Sequence, residues 1–168
     1  APRTLWRNSG SHAYQRPQPR VWVFCTLEWA GEADVRLPNP NETDFRGQAL
    51  KILVCGDRDW TDRDLIRETL SQYSVTRMIH GAARGADRLA GEIGTELGFP
   101  VDECPADWVR YGRSAGPIRN RLMLDQEPDL VLAFHDDINA SKGTKDCLEE
   151  AQRRGILIRL ITHKGEKP

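Results

Sequence analysis

Arg77-Met-Ile-His80-Gly81-Ala-Ala-Arg84-Gly85-Ala86-Asp87 is the stretch that decides the fold. An apolar run ends at His80, a turn carrying two glycines follows, and from Ala86 to Leu97 apolar residues recur at helical spacing until Gly98 and Pro100 stop them. A strand that passes through a glycine turn directly into a helix is half of a crossover unit, and the rest of the chain repeats it. Lys51-Ile-Leu-Val-Cys55 reads as a buried strand ending at Gly56, after which Thr61 or Asp62 can cap a helix through about Tyr73. Val101 to Cys104 is a short third strand. A polar, glycine-containing segment from Ala106 to Gly116 precedes a helix expected to start near Pro117, a residue suited to a first helical position, and to run to about Gln126. Asp129 to Phe134 is a fourth strand, Thr144 to Arg154 a helix ended by Gly155, and Ile156 to Ile161 a final strand.

Alternation of short apolar strands with amphipathic helices predicts an α/β fold, a Rossmann-like, doubly wound and mostly parallel sheet covered on both faces. Ligands of such sheets bind outside the carboxyl ends of the strands. The loops at Gly56, Gly81, Trp108–Gly116 and His135–Thr144 leave from that edge or lie near it.

Composition narrows the rest. A chain of 168 residues can bury a substantial core but is short for two full domains. The formal net charge is −1, with acidic and basic residues interspersed, so the sequence carries no footprint for duplex DNA or an anionic membrane, and the expected partner is a small molecule. No apolar stretch is long enough to span a bilayer, and the first residues lack the apolar core of a signal peptide. A first residue Ala1 in place of Met is expected of a processed or trimmed chain. Cys25, Cys55, Cys104 and Cys147 are widely spaced and form no Cys-x-x-Cys pair, which fits a reduced cytoplasmic setting.

Two units are expected: an N-terminal extension over residues 1–49 and a nucleotide-binding domain over 50–168. The extension is rich in Pro, Asn, Arg and Trp, with a strand-like run at Val21–Leu27 and a turn-rich stretch at Leu37–Asn41. It reads as an irregular or β-containing arm or edge hairpin packed on the main domain or on a second subunit, or else as a lid over a ligand.

The glycine turns carry the chemistry. His80–Asp87 and Ser141-Lys142-Gly143-Thr144 each lie between a strand and a helix, where unpaired backbone N–H groups and the helix dipole favour an anion. Gly56, Gly81, Gly85 and Gly143 let a phosphate approach or permit tight turns. Thr144 reads as a helix N-cap that also contacts phosphate. Arg58 and Arg119 are either ligands for a phosphate or carboxylate or ion-pair partners. Asp87 either complements the helix dipole or meets a ribose hydroxyl. Asn120 either fixes loop backbone or reads a ligand hydroxyl. Among Trp60, Trp108 and Tyr111, one stacks on a base or all cover the edge of the core. His80 reads as a satisfied histidine at a strand end. His135-Asp136-Asp137 lacks a further His or Cys at ligand spacing, so no metal is expected.

Gly56-Asp-Arg-Asp-Trp60, the His80–Asp87 turn, Ala106-Asp-Trp-Val-Arg-Tyr-Gly-Arg-Ser-Ala-Gly116-Pro-Ile-Arg-Asn-Arg-Leu-Met123 and Ser141–Thr144 together resemble the YspA-like, YpsA-related branch of the SLOG superfamily. The likeness runs in order from Lys51 to about Thr162. It implies a Rossmann-like fold that binds nucleotides or nucleotide-derived ligands, with no further cofactor. More distantly, the chain is similar to Lonely Guy phosphoribohydrolases, which cleave the N-glycosidic bond of nucleoside 5′-monophosphates. Gly143-Thr144 correspond to the end of their Pro-Gly-Gly-x-Gly-Thr-x-x-Glu turn, and Arg119-Asn120-Arg121-Leu122-Met123 to their Arg-Lys-x-x-Met helix. Ser141-Lys142 replaces the Pro-Gly-Gly portion, and Asp146-Cys147 stands where those enzymes carry paired glutamates.

The resemblance therefore implies catalytic roles for Asp146, Arg119 and, one turn further on, Glu150. It implies ligand contacts at Gly56, Arg58, Asp59, Gly81, Arg84, Gly85, Asp87, Trp108, Gly116, Asn120, Ser141, Lys142, Gly143 and Thr144. A carboxylate that stabilises an oxocarbenium-like sugar and positions water suits such cleavage. The expected function is hydrolysis of the N-glycosidic bond of a nucleoside 5′-monophosphate or related nucleotide. The alternative is a non-catalytic sensor of a nucleotide or an NAD- or ADP-ribose-derived ligand. Binding of single-stranded nucleic acid, by analogy with the Smf protein, is disfavoured by the missing basic groove signature. A homodimer or higher homo-oligomer is expected by resemblance alone.

Overall fold

A computed structural model of the chain describes Phe45 and residues 48–163. The extension expected over 1–49, with its strand-like run, its turn-rich stretch and Cys25, lies almost wholly outside the described residues. The described part is a parallel five-stranded sheet of order β3-β2-β1-β4-β5, formed by β1 (Ala49–Gly56), β2 (Ser74–His80), β3 (Val101–Glu103), β4 (Leu130–Phe134) and β5 (Leu157–Ile161). Helices α1 (Arg63–Leu70), α2 (Ala86–Glu96), α3 (Trp108–Tyr111), α4 (Ala115–Leu124) and α5 (Lys142–Arg153) connect them. This is the doubly wound α/β fold that the sequence predicts.

Alternation along the strands divides the core between the two faces of the sheet. Ile52, Val54, Met78, Leu130, Leu132 and Phe134 join Ile66, Leu70, Ala90 and Ile93 of α1 and α2 in one cluster. Leu53, Cys55, Ile79, Val131 and Ala133 join Met123, Leu124, Cys147 and Ala151 of α4 and α5 in the other. Each fully buried aliphatic side chain contributes roughly 1.5–3 kcal/mol of burial free energy. The central strands carry most of that driving force and hold the loops at the carboxyl edge. Strand order reverses between β1 and β4, which pair from Ile52 with Leu130 to Gly56 with Phe134, so the crevice outside Gly56 is the topological switch point.

Several boundaries differ from expectation, each for a local reason. β2 starts at Ser74 rather than Arg77, because the pairing with β1 shifts register between Leu50 and Lys51. The additional residue in β2, Thr76, bonds the Leu50 carbonyl through its hydroxyl at 3.0 Å and breaks the alternation that marks a strand. α1 ends at Leu70, not Tyr73, as the chain tightens through Gln72 N–H to Thr69 O and Tyr73 N–H to Leu70 O. α4 begins at Ala115 and ends at Leu124. Pro117 is therefore the third helical residue, still in the turn whose N–H groups need no helical acceptor. The polar, glycine-containing segment before it contains α3 and a 3-10 turn over Gly112–Ser114. α5 starts at Lys142 rather than Thr144, because Ser141 is its N-cap and accepts from Thr144 N–H at 3.3 Å.

Candidate functional site

Gly56 ends β1 between helices from both faces of the sheet. A Cβ there would lie 2.7 Å from Ala86 Cβ and would strike the Phe134 carbonyl, so only glycine lets the two layers close over this strand end. From one face, Ala86 N–H at the start of α2 donates to Asp57 O at 2.9 Å. From the other, the Thr144 hydroxyl of α5 donates to Gly56 O at 3.1 Å and accepts from the Ser141 hydroxyl at 3.0 Å. Thr144 is thus not the cap but the anchor that holds the first turn of α5 against β1. Lys142 and Gly143 are exposed in that turn. Their N–H groups have no acceptor within the helix, as at any helix start.

The first glycine turn meets the second through a chain of polar contacts. Asp87, buried at 4 % exposure, accepts from Gly81 N–H at 3.0 Å, and the N–H groups of Ala83 and Gly56 also turn towards it. Burial pushes its carboxyl up to about 6, against the pull of Arg119 and of those N–H groups. Arg119 donates to the Gly81 carbonyl, lies 3.9 Å from the Asp87 carboxylate and donates through Nε to Asn120 Oδ1 at 3.1 Å. The buried Asn120 in turn donates through Nδ2 to Gly143 O at 3.1 Å and to Asp146 Oδ2 at 3.0 Å. Gly81, Asp87, Arg119, Asn120, Gly143 and Asp146 therefore form one connected set, joined through Thr144 to Gly56 and Ser141. Beneath it, the Cys55 thiol is hydrogen-bonded to Cys147, and this contact together with burial pushes the Cys55 thiol well up. Cys55, Cys104 and Cys147 are free thiols.

Other expected site residues fall elsewhere. Arg58, Asp59, Arg84 and Gly85 line a separate open cleft of about 530 Å³, together with Trp60, Thr61, Arg88 and Leu89. Arg84 donates there to Arg58 O at 3.2 Å and to Asp59 at 2.6 Å. Glu150 is ion-paired with Arg153 and Arg154, and Arg154 beside it holds its carboxyl below the usual range. Trp108 is 53 % exposed on α3, and its ring edge lies 3.6 Å from where a Cβ on Gly116 would stand. Trp60 is a core residue. It is 3 % exposed, packed edge-on against Phe134 and stacked by His163 at 3.9 Å between ring centroids, so it offers no face to a base. His80 is buried, with Nδ1 accepting from Ala82 N–H at 3.2 Å, and burial lowers its pKa. His135 accepts from Asp137 N–H at 3.0 Å. Among the described residues no group of three or more His, Cys, Asp or Glu side chains is arranged to hold a metal, and no helix is long and apolar enough to cross a membrane.

Sequence reasoning missed Arg88. Its only signal is a spacing of four from Arg84 across the start of α2, which brings both residues to the same cleft.

Comparison with known proteins agrees with this architecture. Residues 50–111, which carry β1, the glycine turn after β2, α2 and α3, match the YspA, cpYpsA-related SLOG family, abbreviated YAcAr. The chain is also 35 % identical over 129 residues to the Gene 61 protein of Mycobacterium phage D29, covering 70 % of this chain and 98 % of that one. No solved structure matches. By its fold, its glycine turns and these matches, the chain belongs to the YspA, cpYpsA-related SLOG family, and its function is nucleotide-related.

Proposed function

We propose that residues 50–168 bind a nucleoside 5′-monophosphate or related nucleotide and hydrolyse its N-glycosidic bond. In this reading the phosphate rests on the first turn of α5, with the Lys142 and Gly143 N–H groups and the Lys142 ammonium as donors. The ribose then lies over Asp146, one turn along the same helix. The observation that carries the reading is the clamp on Asp146: Asn120 Nδ2 donates to one carboxylate oxygen at 3.0 Å and to Gly143 O at 3.1 Å. One amide thus holds the carboxylate in register with the turn that takes the phosphate. Orientation of this kind is what a carboxylate facing an oxocarbenium-like sugar requires.

In the reaction, water adds to C1′ while the C1′–N bond breaks and its electron pair leaves with the base. Asp146 accepts the water proton and returns it to the departing base. Arg119 is a positioning residue that acts through Asn120. A homodimer in a reducing cytoplasm, with residues 1–49 as an extension, belongs to the same proposal, and the exposed Trp108, Val109 and Leu122 support an assembly through α3 and α4.

A second reading, a nucleotide sensor without turnover, has its own supporting observation. Glu150 is engaged by Arg153 and Arg154, which leaves Asp146 without a second carboxylate from the same helix face. The two readings separate on incubation with ribo- and deoxyribonucleoside monophosphates, NAD and ADP-ribose, followed by thermal shift and chromatography of free base. Base release that disappears in Asp146→Asn while the thermal shift persists is the expected result. A thermal shift with no base released from any substrate overturns hydrolysis in favour of sensing.

A further inference from the structure

The cleft beside Gly85 is lined by three arginines, Arg58, Arg84 and Arg88. Among the described residues its only acidic lining residue is Asp59, already taken by Arg84 at 2.6 Å. Arg58 and Arg88 have no ion-pair partner among the described residues. Three arginines thus line the cleft beside one carboxylate, whereas on the same helix layer Arg63 pairs with Glu92 and Glu96, and Arg67 with Glu96. Arg84 is also oriented in advance, since Arg58 O fixes its Nε at 3.2 Å. A Cβ on Gly85 would strike the backbone of Asp57 and Arg58, so the wall that carries Arg58 is closed tightly against the start of α2.

The occupant is an anion rather than a second base. Trp60 reaches the cleft only by an edge, because its ring is buried and stacked by His163, and Leu89 is half-buried, so no aromatic face is open to stacking. Guanidinium groups match phosphoryl oxygens in pairs. The starts of α2 and α5 both flank the end of β1. Ala86, next to Gly85, packs on Gly56 from one face of the sheet, while Thr144 binds Gly56 O from the other.

We infer that Arg58, Arg84 and Arg88 form a second anion site, so that the ligand is a nucleotide carrying a second phosphoryl group beyond the 5′-phosphate. This inference rests on the reading of α5 as the site of the first phosphate. A nucleoside diphosphate and a pyrophosphate-linked dinucleotide or nucleotide sugar share this chemistry.

Isothermal titration tests it with the four ribonucleoside mono- and diphosphates, ADP-ribose and inorganic pyrophosphate, against the full chain and its Arg58→Ala, Arg88→Ala and Arg88→Lys variants. The expected result is that the diphosphate binds at least about tenfold more tightly than its monophosphate, the scale of one well-placed charge-assisted contact. That ratio collapses in either alanine variant and is partly restored in Arg88→Lys. ADP-ribose sharing the preference assigns the second group to a bridging pyrophosphate, and its failure to do so assigns a terminal one; both support the site. Equal affinities for mono- and diphosphate in the parent chain, or a ratio that persists in both alanine variants, overturn the inference and leave the α5 reading standing. Pyrophosphate binding that depends on Arg58 and Arg88, in a chain that binds no monophosphate, supports the cleft and overturns the α5 reading instead.

Discussion

The two glycine turns look alike as sequence and behave differently as structure. In the turn between β2 and α2, the N–H groups of Gly81 and Ala83 converge, with that of Gly56 at the end of β1, on the protein's own carboxylate, Asp87. In the turn before α5, the Ser141 hydroxyl satisfies one N–H, and Lys142 and Gly143 are exposed. Glycine is needed for different reasons too. Gly85 has φ +81° with backbone packed where a Cβ would be, whereas a Cβ on Gly143 would meet nothing within 4 Å. A glycine-rich strand-to-helix turn can thus be a structural knot or an open cradle, and what separates them is whether an internal anion already occupies the donors.

The largest effect is expected where the knot is tightest. Gly85→Ala combines a left-handed backbone with a backbone collision and should destabilise the fold by about 2–4 kcal/mol, read as a shift in the denaturation midpoint at unchanged m-value. A loss below about 0.5 kcal/mol would erase the distinction between the turns.

Asp87 gives a pH signature of similar size. Its folded pKa of about 6 lies above the ordinary 3.8, so its contribution is fully present below about 4 and is lost as pH rises through about 6. That amounts to about 3 kcal/mol of stability at most. Denaturation of Asp87→Asn across this window should lack that slope. A variant with the parent's pH profile would mean that another group carries it.

Smaller effects belong to the open turn. Ser141→Ala removes the cap of α5 and should cost about 1 kcal/mol. Gly143→Ala should be neutral or stabilising by up to about 1 kcal/mol while weakening monophosphate binding, because the new methyl stands where the phosphate approaches. Unchanged titration with Gly143→Ala would place the phosphate away from this turn.

These contrasts also mark what the sequence could disclose. Strands β1, β4 and β5 are visible because continuous apolar runs such as Lys51–Cys55 and Leu130–Phe134 are bounded by turn residues, and parallel burial follows from the alternating helices. The start of β2 is hidden by the extra residue at Thr76. The start of α5 is hidden because both Ser141 and Thr144 are good caps, and only the fold gives Thr144 another acceptor in Gly56, far away in the chain. The same limit governs the site. Arg119, Asn120 and Asp146 could be named from their motifs, but the contact of Arg119 with Gly81 joins residues 38 apart. The division between the Asp146 cluster and the arginine cleft depends on which face of the sheet each helix covers. Trp60 shows the converse: polar neighbours suggest an exposed ring, whereas the fold stacks His163 on it and packs Phe134 against it edge-on.

The histidine at the end of β2 has a use for the experimenter. Because Ala82 N–H donates to its Nδ1, the neutral ring of His80 carries its proton on Nε2. That nitrogen is buried without a hydrogen-bond partner, beside Gly91, with the Glu103 carboxylate 3.8 Å away. Such an imidazole proton exchanges with solvent only when its surroundings open. It should give a resolved downfield resonance in proton NMR, a built-in gauge of how often the neighbouring turn breathes and of whether a bound nucleotide quiets it.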